Sequence, residues 1–268
     1  MGRGHIEIIQ ATDVATEPIA ASGWPVGASA RTLSSDGETG AFTSLVSLPA
    51  GYRRGPGSQA AGCDVYVLAG TLRIGEHVRA PGFYQFLPAA AGHEPWIAEG
   101  DCELLMMSAG PADFTPGEPG GDANGRIEID TERMPWTRGR TPGPPPGLFS
   151  KTLRHDPASG ARVFLCGCVR RYDYPLIEYH DCHEECYHLA GDMRMGTSGL
   201  MSPGSYFWRP PYVTHGPFYS HAGMMALMTV DGPLINHYVS DPRRTPEENR
   251  AEAQTQPPPH DFHADPSD

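Results

Sequence analysis

Arg31-Thr32-Leu33-Ser34-Ser35-Asp36-Gly37-Glu38-Thr39-Gly40-Ala41 returns 120 positions later as Lys151-Thr152-Leu153-Arg154-His155-Asp156-Pro157-Ala158-Ser159-Gly160-Ala161. Later landmarks keep nearly the same offset. Tyr66-Val67-Leu68-Ala69-Gly70 recurs as Tyr187-His188-Leu189-Ala190-Gly191 at a shift of 121, and Pro81-Gly82, Tyr84, His93 and Gly110-Pro111 recur as Pro203-Gly204, Tyr206, His215 and Gly232-Pro233 at 122. The opening Ile6-Glu7-Ile8 has its echo in Ile127-Glu128-Ile129. Solenoid units run to roughly 20–50 residues, so a period this long marks a duplicated domain. Each half then serves as a control for the other. Residues in both halves read as architecture, and residues in one half are candidates for chemistry.

Working outward, the apolar stretches are short: 42–48, 64–68, 102–107, 163–169, 186–189 and 224–230, separated by Gly, Pro and Asp. This pattern predicts antiparallel strands and turns with little helix. The 268 residues divide into a first unit over 5–111, a linker over 112–125, a second unit over 126–240 and an acidic, Pro-rich tail over 241–268. The tail is expected to be mobile, with a helical turn near Pro246 to Ala253. Arg138 to Gly147 is a second Pro-rich stretch, inside the second unit.

A net charge of -12 with no basic stripe excludes nucleic acid and anionic membranes as expected partners. No apolar run is long enough for a signal peptide or a membrane span, so a cytoplasmic protein is expected. The six cysteines lack repeated spacing, and reduced thiols are the default.

The halves diverge most before the repeated strand. The second reads Glu178-Tyr179-His180-Asp181-Cys182-His183-Glu184-Glu185-Cys186-Tyr187-His188, where the first has Gly57-Ser58-Gln59-Ala60-Ala61-Gly62-Cys63-Asp64-Val65-Tyr66-Val67. Side chains alternate across a strand, so Glu184, Cys186 and His188 share one face. If that face is interior, an unpaired carboxylate there is costly, and a divalent cation would neutralise it.

His180 with Glu184, the turn at Gly191, Pro203-Gly204-Ser205-Tyr206 and His215-Gly216-Pro217 together resemble the two cupin motifs, and the duplication resembles a bicupin of the diketone-cleaving and ChrR-like kind. The resemblance implies two tandem small jelly-roll barrels, all-β, the first lacking metal ligands. It implies that His180, Glu184 and His215 hold one divalent transition metal per chain, with Fe(II) favoured and Mn, Ni, Zn or Cu also accommodated. Glu178 stands where the family has its first His. Either Glu178 ligates, or His183 or His188 supplies the missing imidazole, or three ligands suffice. A closed zinc site using Cys182 and Cys186 is a further alternative.

His188 is expected to point inward, as a ligand, a general base or a hydrogen-bond donor; Glu178 is the other candidate proton carrier. Arg209 has no counterpart in the first half and is expected to hold an anionic substrate or to pair with Glu178. Glu185 and Tyr206, matched by Asp64 and Tyr84, read as structural, and the methionines at 224, 225 and 228 as core. The function so implied is a metal-dependent dioxygenase acting in the second barrel on a small oxygenated substrate such as a diketone, enol or phenolic ketone. The alternatives are a non-oxidative isomerase, lyase or hydrolase, and a non-catalytic module that binds metal or effector. Exposed sheet edges make a homodimer the expected assembly.

Overall fold

A computed structural model describes residues 2–117, 125–138 and 147–255. The apolar stretches form strands, and every ladder is antiparallel. The repeated eleven residues of the opening are a strand end and the turn that follows it. In both copies an Asp side chain, Asp36 or Asp156, accepts from the amide two residues on, and the chain closes with Gly40 or Gly160 at φ 73° or 76°. The register slips by one residue at the same place in each, between Thr32 and Ser34 and between Thr152 and Arg154. The repeat thus encodes a turn and a bulge, which need particular residues.

The chain forms two compact units. In the first, a seven-stranded sheet runs in the order Ile127–Asp130, Phe83–Leu87, Cys63–Ala69, Cys102–Ser108, Phe42–Leu48, Ser29–Ser35, Glu17–Pro18. Smaller sheets complete this unit, one of them built on Trp96–Ala98 and one on Gly57–Gln59. In the second, a six-stranded sheet runs Ile6–Gln10, Ser205–Arg209, Glu184–Gly191, Met224–Val230, Arg162–Cys168, Leu148–His155. A sheet containing Tyr172–Tyr174, Phe218–Ser220, Met193–Met195 and Gly199–Met201, and the pair Ile177–Tyr179 with His237–Val239, belong to the same unit. The inward side chains of each unit form its core, among them Val46, Leu104 and Trp96 in the first and Phe164, Met193 and Met228 in the second.

The expected boundaries need correction, because each opening strand joins the other repeat's sheet. Ile6–Gln10 pairs with Ser205–Arg209, and Ile127–Asp130 pairs with Phe83–Leu87. The two receiving strands are themselves copies of one template, so either opening strand carries the pattern to dock on either edge. The repeat does not say which. The linker is also shorter than expected: Phe114–Pro116 is a strand on Gly57–Gln59, with Phe114 buried.

The expected mobile tail is docked as far as it is described. Pro246–Ala253 is a helix with a capping box at Thr245 and Glu248. Asn249 is buried beneath it, donating to the Tyr212 carbonyl and the Thr214 hydroxyl at 2.7 Å each. Residues 256–268 lie outside the described residues, as do residues 118–124 of the linker. No helix among the described residues is long and apolar enough to cross a membrane.

Candidate metal centre

Three segments of the second unit converge on one buried cluster. Ile177–Tyr179 is paired on one side with His237–Val239, and Glu178 also exchanges two backbone hydrogen bonds of 2.9 Å with His215. Alternation sends Tyr179 outward to stack on His237, with ring centroids 4.8 Å apart, and sends Glu178 and His180 inward. His180 donates from Nδ1 to the Ile235 carbonyl, and His215 from Nδ1 to the Val213 carbonyl, both at 3.0 Å. With Nδ1 so used, each ring presents the lone pair of Nε2 to the cluster, the arrangement a metal-ligating histidine requires. The Nε2 of His215 has no hydrogen-bond partner.

Glu178 is bound from behind through one oxygen. Its Oε2 accepts from Asn236 Nδ2 at 2.6 Å and Tyr174 OH at 3.2 Å. Oε1 is left facing the imidazoles, 4.0 Å from His180 Nε2 and 3.9 Å from His215 Nε2. Burial, with the neighbouring Glu184 carboxylate adding to it, pushes the Glu178 carboxyl up to about 7. Burial together with Arg209 and His180 holds the His215 ring well below the usual histidine range, hence neutral. Ligand atoms of Glu178, His180 and His215 all lie within 4.8 Å of one another, and among the described residues this is the group able to hold a metal ion.

Glu184 borders the group. Its oxygens stand 3.9 Å from His180 Nε2 and 3.7 Å from His215 Nε2, while Oε2 also accepts from Arg209 Nη1 at 3.1 Å. Glu178 Oε1 and the two Nε2 atoms therefore face one another with no neighbouring side chain donating between them; without metal, only the acid proton of Glu178 itself stands there. Glu178 and Glu184 contribute two buried carboxylates against the one guanidinium of Arg209. A divalent cation fits such a donor set, since it satisfies lone pairs and offsets charge together.

Arg209 corrects an expectation. It does not pair with Glu178 and does not line the cavity beside the cluster; it is buried between Glu184 and Glu7, the latter accepting from Nη2 at 3.2 Å. The strand register sets this, because Arg209 stands directly opposite Glu184. His183 also falls outside the cluster: it precedes the strand, and its ring meets Asp231 at 3.0 Å. No cysteine joins the cluster among the described residues. Burial raises the Cys182 and Cys186 thiols, the reverse of what a zinc thiolate needs. His188 lines the cavity, apart from the metal group. Glu185 and Tyr206 are structural as expected: Tyr206 donates to Glu185 at 2.5 Å, as Tyr84 does to Asp64.

The sequence reading missed Tyr174, Asn236 and Glu7. Tyr174 and Asn236 carried the asymmetry signal, since their counterparts are Arg54 and Phe114. Glu7 carried none, because Glu128 matches it.

The first unit shows what happens to the same positions without the ligands. Gly57, Gln59 and Cys63 stand where the second has Glu178, His180 and Glu184. A Cβ on Gly57 would lie 2.5 Å from the Phe114 ring, so glycine is what lets that ring enter. Arg54, 1 % exposed, sits 3.8 Å over Trp96 and 4.5 Å over both Trp24 and Phe114, and hydrogen-bonds His93. Burial and that guanidinium lower the His93 ring to about 3. The chain's own cation, Arg54, lies against His93, the counterpart of His215.

The family model described as Domain of unknown function (DUF4437) matches residues 7–237. The chain belongs to this family. No curated protein matches the sequence. Among solved structures, this DUF4437 chain is similar to a proposed dioxygenase from Nostoc punctiforme, with a TM-score of 0.80, 22% identity, and coverage of 90% of this chain and 87% of that one. It is also similar to the Lactobacillus farciminis oxalate decarboxylase formate complex (TM-score 0.56, 10% identity, 91% and 95% covered) and to a Bacillus subtilis oxalate decarboxylase variant (0.55, 10%, 89% and 81%). These likenesses concern the fold, and the DUF4437 chain has the all-β cupin jelly roll.

Proposed function

We propose that the protein is a metal-dependent cupin enzyme whose second barrel binds one divalent transition metal through Glu178, His180 and His215, with Glu184 at its side, and acts there on a small oxygenated substrate. One observation carries this reading: Glu178 Oε1 and the Nε2 atoms of His180 and His215 face one another, buried, with no neighbouring side chain donating between them. The finer reading is an Fe(II)-type dioxygenase acting on a diketone, enol or phenolic ketone, because two histidines and carboxylate leave open positions for substrate and oxygen.

A metal there would supply Lewis acidity and, for iron, a route for oxygen to react with the bound substrate. The chain's own residues do the rest. Tyr174 and Asn236 fix the Glu178 carboxylate by one oxygen and leave the other free. Arg209, itself held by Glu7, fixes Glu184 as a positioning residue. The walls, including Phe164, Phe207, Met193 and Met228, surround a cavity of about 100 Å³ with apolar surface, which suits a small substrate. His188, neutral because burial lowers its basicity, lines that enclosure apart from the cluster.

Elemental analysis of freshly purified protein beside His215→Ala tests the metal. About one transition metal per chain, lost in the variant, is expected; equal metal in both contradicts the site. Oxygen uptake by the iron-loaded protein with small diketones tests the finer reading, and turnover that persists under strict anaerobiosis contradicts it in favour of redox-neutral chemistry.

A further inference from the structure

The cavity of the second barrel is lined by an imidazole that the metal cluster leaves unused. His188 lies four residues beyond Glu184 on the same face of the same strand, roughly 13 Å away at the backbone. Its ring is 1 % exposed and lines the cavity. The imidazole is held by hydrogen bonds to the backbone of Ala190 and Gly191, and its Nε2 has no partner. The hydrogen is therefore on Nδ1, and Nε2 keeps an unpaired lone pair in the interior of the barrel.

The fold does not need an imidazole at this position. The His188 carbonyl accepts from Gly204 N at 2.9 Å, and in the first unit the Val67 carbonyl accepts the equivalent bond from Gly82 N at 3.0 Å. Valine keeps the same backbone link. Nor do the surroundings suit a resident water, which needs two to four polar partners. Tyr174, Glu178 and Asn236 are bonded to one another, leaving Asn236 Oδ1 as a second acceptor, and methionine and phenylalanine make up much of the walls. A buried acceptor left this way is matched by a donor that arrives with the ligand.

We propose that His188 is a specificity-determining residue that accepts a hydrogen bond from a substrate hydroxyl, carried at the end remote from the group that faces the metal cluster. The substrate class is then a small, mainly apolar molecule with an oxygen-rich head and a separate hydroxyl. This rests on the proposed metal site, and the two are tested separately.

The probes are butanoate, pentanoate and hexanoate with their ω-hydroxy derivatives, titrated by calorimetry into the redox-silent Zn(II)-loaded protein. A carboxylate head suits the metal, and the three lengths span the gap to His188. Wild type is expected to prefer one hydroxy acid over its parent by about tenfold, the worth of one well-made hydrogen bond. His188→Val, the first barrel's own residue, is expected to bind both alike, and His188→Gln, which keeps an acceptor, to recover part of the preference. A wild type without preference at any length overturns the assignment, as does a preference that survives in His188→Val. Failure of the metal reading looks different: both acids then bind equally well without zinc or in His215→Ala, while the hydroxyl preference remains readable.

Discussion

At the scale of single residues, Glu178 is where the twin comparison and the chemistry meet. Its counterpart is a glycine, and its carboxyl is buried beside two imidazoles and a second carboxylate. Without metal, burial favours the neutral acid. The folded state then holds a proton up to about pH 7, which the unfolded chain releases near 4.5. Stability that is full below pH 4.5 is therefore lost as pH rises through 7, by roughly 3 kcal/mol. Glu178→Gln keeps a side chain able to meet Tyr174 and Asn236 but cannot ionise. Urea unfolding of metal-stripped protein should show wild type losing stability relative to Glu178→Gln between pH 5 and 8, with the gap closing when metal is restored. A gap independent of pH would contradict the buried-acid account. The sequence exposed Glu178, His180, Glu184 and His215 because each is unlike, or keeps company unlike, its twin. It misled on Arg209, whose partner is chosen by strand register. It also could not reveal Glu7, whose type is shared by both halves and whose place depends on strand exchange.

Among the elements, the opening strand Ile6–Gln10 links fold and site. It covers the edge strand Ser205–Arg209, and its Glu7 steadies Arg209 behind Glu184. Deleting residues 2–10 should leave a paired strand's hydrogen bonds open and one buried guanidinium short of a carboxylate. Metal affinity is expected to fall at least tenfold and the variant to aggregate more readily, measured by competition with a chelating dye and by light scattering. Unchanged metal affinity would show that the strand is only a cover. Glu7→Gln separates the two effects, keeping the edge covered while weakening the ion pair. The antiparallel elements themselves were legible from short apolar runs and repeated turn residues. Their assignment to one sheet or the other was not, because the two receiving edges are copies. The docked helix Pro246–Ala253 was visible only as a turn, since its anchor is one buried asparagine rather than an apolar stripe.

For the molecule as a whole, duplication gave two copies of a barrel that closed in different ways. The first is filled from within: Arg54 lies among Trp24, Trp96 and Phe114 and bonds His93. The second keeps an apolar cavity with convergent acceptors at its edge. Two-fold repetition in sequence thus accompanies a single candidate metal cluster among the described residues. The substitutions responsible are few and were readable, with Gly57, Gln59 and Cys63 opposite Glu178, His180 and Glu184. What sequence could not supply is that Arg54 is buried against the counterpart of His215, because a buried arginine without a carboxylate partner is held by aromatic rings from distant segments. The most direct measurement is anomalous diffraction from crystals of the metal-loaded protein, collected at the absorption edge of the bound metal. One peak per chain is predicted, in contact with Glu178, His180 and His215. No peak there, or a peak beside Arg54 and His93, would contradict the account.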